Sequence, residues 1–211
     1  FMNTFVIAIF TCIISTIFVL SVAYSMSRMR FKMRKPFMNI AMIIGLFPSF
    51  MSMIAVYYIL RALNLADGAM IRVALIIVFS AGSGAGFYVA KGFFDTISKS
   101  LDEAAIIDGA TRWNVFTKIT VPLSKPIIVY TILTSFMGPW VDFIFGKVIC
   151  RADAQYYTVS IGLWKMLEKE YIDSWYTCFA AGAVVVSIPI AILFLMTQKF
   201  YVEGMTGAVK G

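Results

Sequence analysis

Apolar residues run almost unbroken through five stretches of the chain, 3–27, 37–60, 72–94, 126–145 and 175–198, and polar residues gather between them. A helix needs roughly 20 apolar residues to cross a bilayer, so the pattern predicts an all-α polytopic membrane protein with five transmembrane helices. Gly45 and Pro48 predict a kink in the second span. Gly82 and Gly86, four residues apart in the third, predict a face that a neighbouring backbone approaches closely. Pro126 suits the first turn of the fourth span, and the fifth contains Gly182 and Pro189. The mixed segment 147–174 includes TVSIGLWKMLEKEY, which reads as an amphipathic surface helix with Trp164 and Tyr171 at an interface. The tail KFYVEGMTGAVKG reads as short and polar.

One polar stretch, 95–126, is longer and more charged than the rest. Ser100 stands three residues before Glu103, the spacing of a capping box, so a helix is predicted to start there. Ala104 and Ala105 favour its continuation, and Gly109 stands where a left-handed cap ends it. Thr111 caps a second helix, in which Val115 and Ile119, and Trp113 and Phe116, share faces until Pro122 stops it. Both helices are too short to span, which leaves either a docking element for a soluble partner or a plain surface hairpin.

Composition supports the membrane reading, with 61% hydrophobic and 14% charged residues. Three cysteines imply no disulfide framework, although a Cys150–Cys178 pair is conceivable. There is no histidine, the commonest metal ligand and catalytic base. The net charge of +7 could suit nucleic acid, yet Arg28, Arg30, Lys32, Arg34 and Lys35 directly follow a span, where topology explains them better. Of the 18 Lys and Arg residues, twelve fall on the side of the 95–126 loop, which places that loop and the tail in the cytoplasm. G-S-G-A-G at 82–86 lies inside a span and fails as a dinucleotide fingerprint. No phosphate-binding G-x-x-x-x-G-K-[ST] occurs, so ATP hydrolysis is not expected of this chain. Of the carboxylates, only Asp142 lies within a span, which disfavours an ion-coupled carrier. With Trp140 and a bending Gly138-Pro139 beside it, Asp142 is a candidate for lining a polar path; the alternative is snorkelling to the interface or pairing with Lys147.

Glu103-Ala104-Ala105, three residues, Gly109, nine residues, then Ile119-Thr120-Val121-Pro122 resembles the EAA loop of ABC importer permeases, with Val121 where that pattern has leucine. The ending 201–211 is similar to the carbohydrate-uptake branch, in particular the second permease of the maltose and maltodextrin type, with one residue fewer between Thr206 and Val209 than in many members. Trp140, Asp142 and Phe143 resemble a segment frequent in the sugar branch. The resemblance implies one transmembrane domain over 1–211, preceded in most family members by a further span, and a multi-pass protein of the bacterial inner membrane. It implies that Glu103, Ala104, Ala105, Gly109, Ile119 and Pro122 couple to an ATPase and that Trp140 and Asp142 border the path. Implied partners are a second permease, a pair of ATP-binding subunits that hold ATP and magnesium, an extracellular sugar-binding protein, and membrane lipid, with no nucleic acid. An importer for another solute, or a carrier or channel, is the alternative.

Overall fold

The computed structural model describes residues 1–46, 49–151, 153–168 and 170–207. Pro48, Lys169 and the end of the tail at 208–211 lie outside the described residues. Among the described residues the fold is all helix. The helix α1 (Met2–Arg28) is its hub, packing on α4 (Met70–Gly82), α5 (Phe87–Thr96) and α9 (Lys125–Val141). Its buried stripe runs through Thr4, Ile7, Ala8, Thr11, Ser15, Val19 and Ala23. Such spacing repeats every three or four residues, and the small and hydroxyl side chains let three helices close in where lipid would otherwise compete.

Among the described residues three helical stretches are long and apolar enough to cross a membrane: Met2–Arg28, Met70–Thr96 and Ile172–Phe200. A fourth follows if Arg112–Leu123 and Lys125–Val141, bent by 80° against each other, make one broken span. The expected second span is instead two shorter helices, α2 (Arg34–Gly45) and α3 (Ser49–Ala62). Five crossings are therefore not seen as five long helices.

In the Met70–Thr96 span, residues Ser83–Gly86 tighten into a 3₁₀ turn between α4 and α5. Here the four-residue glycine spacing misleads. A 3₁₀ turn advances about 120° per residue, so Gly82 and Gly86 do not share a face. A Cβ at Gly86 would lie 3.8 Å from Val19 and one at Gly84 3.8 Å from Phe18, both on α1, whereas one at Gly82 would meet nothing within 4 Å. Gly84 and Gly86 make the close approach, and Gly82, like the edge of Gly86, borders a cavity.

The fourth apolar stretch ends as helix at Val141, not 145. Asp142 accepts the Gly146 N–H at 3.0 Å through Oδ1, starting the short α10 (Ile144–Cys150) in a new direction. Two further short helices, α6 (Lys99–Ile107) and α7 (Arg112–Val115), form the polar loop; α7 runs through a π turn, Phe116–Thr120, into α8 (Val121–Leu123). The surface helix, α11 (Val159–Met166), is shorter than expected, and its Trp164 ring lies 5.1 Å from Phe143. The last helix, α12 (Ile172–Gly207), continues through much of the tail that reads as polar in sequence. It rests on α9 and α11, with Leu163 Cδ2 only 2.9 Å from where a Cβ at Gly182 would stand. Cys12, Cys150 and Cys178 are all free; Cys150 is buried, which pushes its thiol up to about 11, and Cys178 is exposed.

Candidate functional site

The loop at one end of the bundle is organised by its caps. Ser98, not Ser100, is the N-cap of α6: its backbone is extended (φ −58°, ψ 130°) and its Oγ accepts the Ser100 N–H at 3.3 Å. The helix thus begins two residues earlier than the capping box predicts, with Ser100 inside it and hydrogen-bonded to the Ser98 hydroxyl at 2.7 Å. Glu103 then lies beyond the first turn, exposed at the rim of a small cavity between α6 and the end of α1, with no capping role. Gly109 ends the helix at φ +85°. Its N–H donates to Ile106 at 3.0 Å and that of Ala110 to Ala105 at 2.9 Å, the paired bonds of a Schellman cap. Thr111 Oγ1 accepts the Asn114 N–H at 3.2 Å and caps α7.

Pro122 does not stop the second helix. Proline has no N–H for the Lys118 carbonyl and crowds it, and the chain responds one turn earlier with a π turn, in which the Val121 N–H donates to Phe116. Helix persists to Leu123, and the 80° bend follows at Ser124. The outcome is a blunt projection. Glu103, Ala104 and Gly109 are exposed on it beside Ile107, 85% exposed, and Trp113, 69% exposed; Ala105 and Ile119 are half-buried, and Pro122 is exposed. Apolar residues so bare on a polar loop are surface that a partner or lipid can cover.

The C-terminal end of α1 holds this projection, a connection absent from the sequence reading. Tyr24 donates to the Arg112 carbonyl at 3.3 Å and Ser27 to Asp95 at 2.6 Å. Arg28 Nη2 donates to the Ile97 carbonyl at 2.8 Å, and its Nε lies 3.2 Å from Asp102 Oδ2, with the two side chains 3% and 14% exposed. Asp95 also pairs with Lys91 at 2.5 Å. A basic residue after a span looked like a topology signal alone; that it turns inward to meet a carboxylate 74 positions later is a tertiary fact.

The second feature is a cavity of about 710 Å³ bordered by α1, α3, α4 and α9. Its polar residues are Thr131, Thr134 and Ser135 on α9 and Asp142 just past its end, with Ser52, Ser83 and Tyr130. Thr131, Thr134, Ser135, Gly138 and Asp142 recur at the helical interval, a stripe that could have been read from the sequence. Asp142 is half-buried and borders the cavity. It does not pair with Lys147, whose Nζ stands 5.6 Å over the Tyr157 ring. Trp140 does not border the cavity: it is 2% exposed, packed 5.9 Å from Phe136 and 5.2 Å from Phe1, on the side of α9 that faces α12. Two residues along a helix turn by about 200°, so Trp140 and Asp142 face apart.

The sequence profile of the family described as "Binding-protein-dependent transport system inner membrane component" matches residues 16–205. The chain is 35% identical to the galactooligosaccharides transport system permease protein GanQ of Bacillus subtilis, over all of this chain and 74% of that one. It is 32% identical to the maltodextrin transport system permease protein MalD of Streptococcus pneumoniae, with the same coverage. Among solved structures it is similar to a bacterial ABC transporter involved in the import of the acidic polysaccharide alginate, with a TM-score of 0.77 and 26% identity over 95% of this chain and 74% of that one.

Proposed function

Because the chain belongs to the family of binding-protein-dependent transport system inner membrane components, we propose that it is one permease subunit of an ATP-driven importer and carries neutral oligosaccharides of the maltodextrin kind. The observation that carries the substrate class is the cavity. Its lining is mainly apolar, which suits the faces of sugar rings, and set into it are several hydroxyls and one carboxylate, with no Lys or Arg among the described residues. Sugar hydroxyls are donors and acceptors at once and bond well to such a wall, whereas a uronate would meet Asp142 with no cation to offset the repulsion. The Asp142 carboxylate is steered by the backbone at the start of α10, where the Gly146 N–H donates to its Oδ1, and it borders the cavity from there.

In this reading the chain is not itself an enzyme. Five crossings are retained, with α2 and α3 together forming the second. A second permease completes the path, a sugar-binding protein delivers to it from outside, and the exposed loop seats in a pair of ATP-binding subunits on the cytoplasmic side, where twelve of the 18 Lys and Arg residues fall. The loop face of Glu103, Ala104, Ile107 and Gly109 supports this docking.

Uptake of labelled maltodextrin by cells expressing the whole system tests the function: it is expected to stop on ATP depletion with the membrane potential intact, and no uptake would overturn it. Asp142→Asn is expected to raise the half-saturating sugar concentration or slow uptake roughly tenfold, the scale of one hydrogen bond to a charged group, without changing the amount of assembled complex. Unchanged uptake would remove Asp142 from the path. Glu103→Gln and Glu103→Ala are expected to reduce co-purification of the ATPase equally, because the cap belongs to Ser98 and only the charge of Glu103 is at stake. A loss with alanine alone would return Glu103 to a structural role.

A further inference from the structure

Beside the loop, the end of α1 closes one wall of a second, smaller cavity of about 160 Å³. Arg28, Arg30, Arg34, Lys99 and Arg112 line it, against the carboxylates of Asp102 and Glu103. The innermost of these cations is under-used. The side chain of Arg28 is 3% exposed, yet its Nη1 and Nε have no hydrogen-bond partner, nor has Asp102 Oδ1 beside them, and five cations against two carboxylates leave the lining with an excess of positive charge. Buried guanidinium N–H groups without acceptors cost free energy unless an anion reaches them.

An apolar groove of about 310 Å³ adjoins this cavity, sharing Tyr24 and Arg112 with it and continuing along Trp113 and Phe116. Its rings form a continuous surface: Phe116 lies 4.7 Å from Tyr24 and 5.8 Å from Trp113. Arg28 is the last residue of a long apolar span, so cavity and groove sit at the depth where hydrocarbon gives way to headgroups, the level that tryptophan and tyrosine favour.

We propose that cavity and groove together hold one anionic phospholipid, its phosphate among Arg28, Arg30, Lys99 and Arg112 and the upper part of an acyl chain along Tyr24, Phe116 and Trp113. A free phosphate would use the cavity and leave the groove bare; a lipid uses both, and the shared Arg112 stands where head and tail meet. Because both α6 and α7 contribute walls, the bound lipid braces the two loop helices against α1. The assignment rests on the membrane location alone and not on the identity of the transported solute.

The test is to strip lipid from the complete transporter in detergent, titrate it with dioleoylphosphatidylglycerol or dioleoylphosphatidylcholine, and count bound lipids by native mass spectrometry. One phosphatidylglycerol per chain is expected, held roughly tenfold or more tightly than phosphatidylcholine, on the scale of a few lysine and arginine contacts with an anionic headgroup. Arg30→Gln with Lys99→Gln, and separately Trp113→Ala, should each weaken it by roughly tenfold, while Lys32→Gln with Lys35→Gln should not, because these exposed lysines lie outside the cavity. Equal binding of the two lipids, or equal loss in the two double variants, would reduce the effect to diffuse surface charge and overturn the site. Glycerophosphoglycerol binding as tightly as the lipid would overturn the acyl groove. Filling only after the ATP-binding subunits are removed would assign the cavity to protein docking instead.

Discussion

Arg28→Met is expected to destabilise the protein by about 3 kcal/mol, the lower end of what removing one partner of a buried ion pair costs. Asp102 would remain in place with 14% exposure and no countercharge, and the Ile97 carbonyl would lose its donor at 2.8 Å. The lower end applies because that residual exposure lets water reach the orphaned carboxylate. Arg28→Met combined with Asp102→Leu should recover most of the loss, since a buried pair replaced by apolar residues of similar volume is often neutral. Unfolding in mixed detergent measures both, and the double variant also tests function. If the pair serves stability alone, the double variant transports normally; if the α1 connection must hold the loop in register, the double variant is stable but its ATPase responds weakly to loaded binding protein. A single variant as stable as the parent would show that the pair contributes nothing.

Gly109→Val is expected to abolish coupling. The backbone there has φ +85°, a region that costs a residue with a Cβ roughly 1–2 kcal/mol and a β-branched one more. Nothing lies within 4 Å of the position a Cβ would take, so the penalty is conformational and not a clash. Gly109→Asn therefore makes a sharp comparison, since asparagine tolerates the left-handed region. The valine variant should lose the two Schellman bonds, unravel the end of α6 and lower co-purifying ATPase roughly tenfold or more, while the asparagine variant stays near the parent. Equal behaviour of the two would mean that the cap does not shape the docking face.

Gly109 and Thr111 were legible in sequence because caps are local: a residue type at one position fixes one hydrogen bond or one dihedral. Ser100 was misjudged for a related reason. Two serines two residues apart both qualify as caps, and the choice of Ser98 follows from the extended backbone at Ile97, where the chain leaves α5. Pro122 was read as a stop because proline opposes an α-helix, but a π turn supplies another way to spare its missing N–H. The glycine spacing failed where helix geometry itself changed, at Ser83–Gly86. Hydropathy marked apolar stretches well and could not distinguish one long helix from two short ones such as Arg34–Gly45 and Ser49–Ala62. The Arg28–Asp102 pair and the side of α9 taken by Trp140 depend on which helices meet, and no local pattern carries that.

The π turn at Phe116–Thr120 also bears on how the spacing between Gly109 and Pro122 is to be counted. A π turn closes on one residue more than an α turn, so the extra residue is absorbed in a wider turn and the helix before and after it keeps nearly the same phase. Along the nine positions between Gly109 and Ile119 and on to Pro122, the chain thus carries one residue that does not rotate the projecting loop about the axis that leads into α9. Removing one residue from Phe116–Thr120 would let the segment relax to ordinary α geometry with every cap intact and leave the exposed edge of α6 facing nearly the same way. A second residue removed would find no wide turn left to absorb it and would swing that edge by about 100°, so the loop tolerates one shortening and not two.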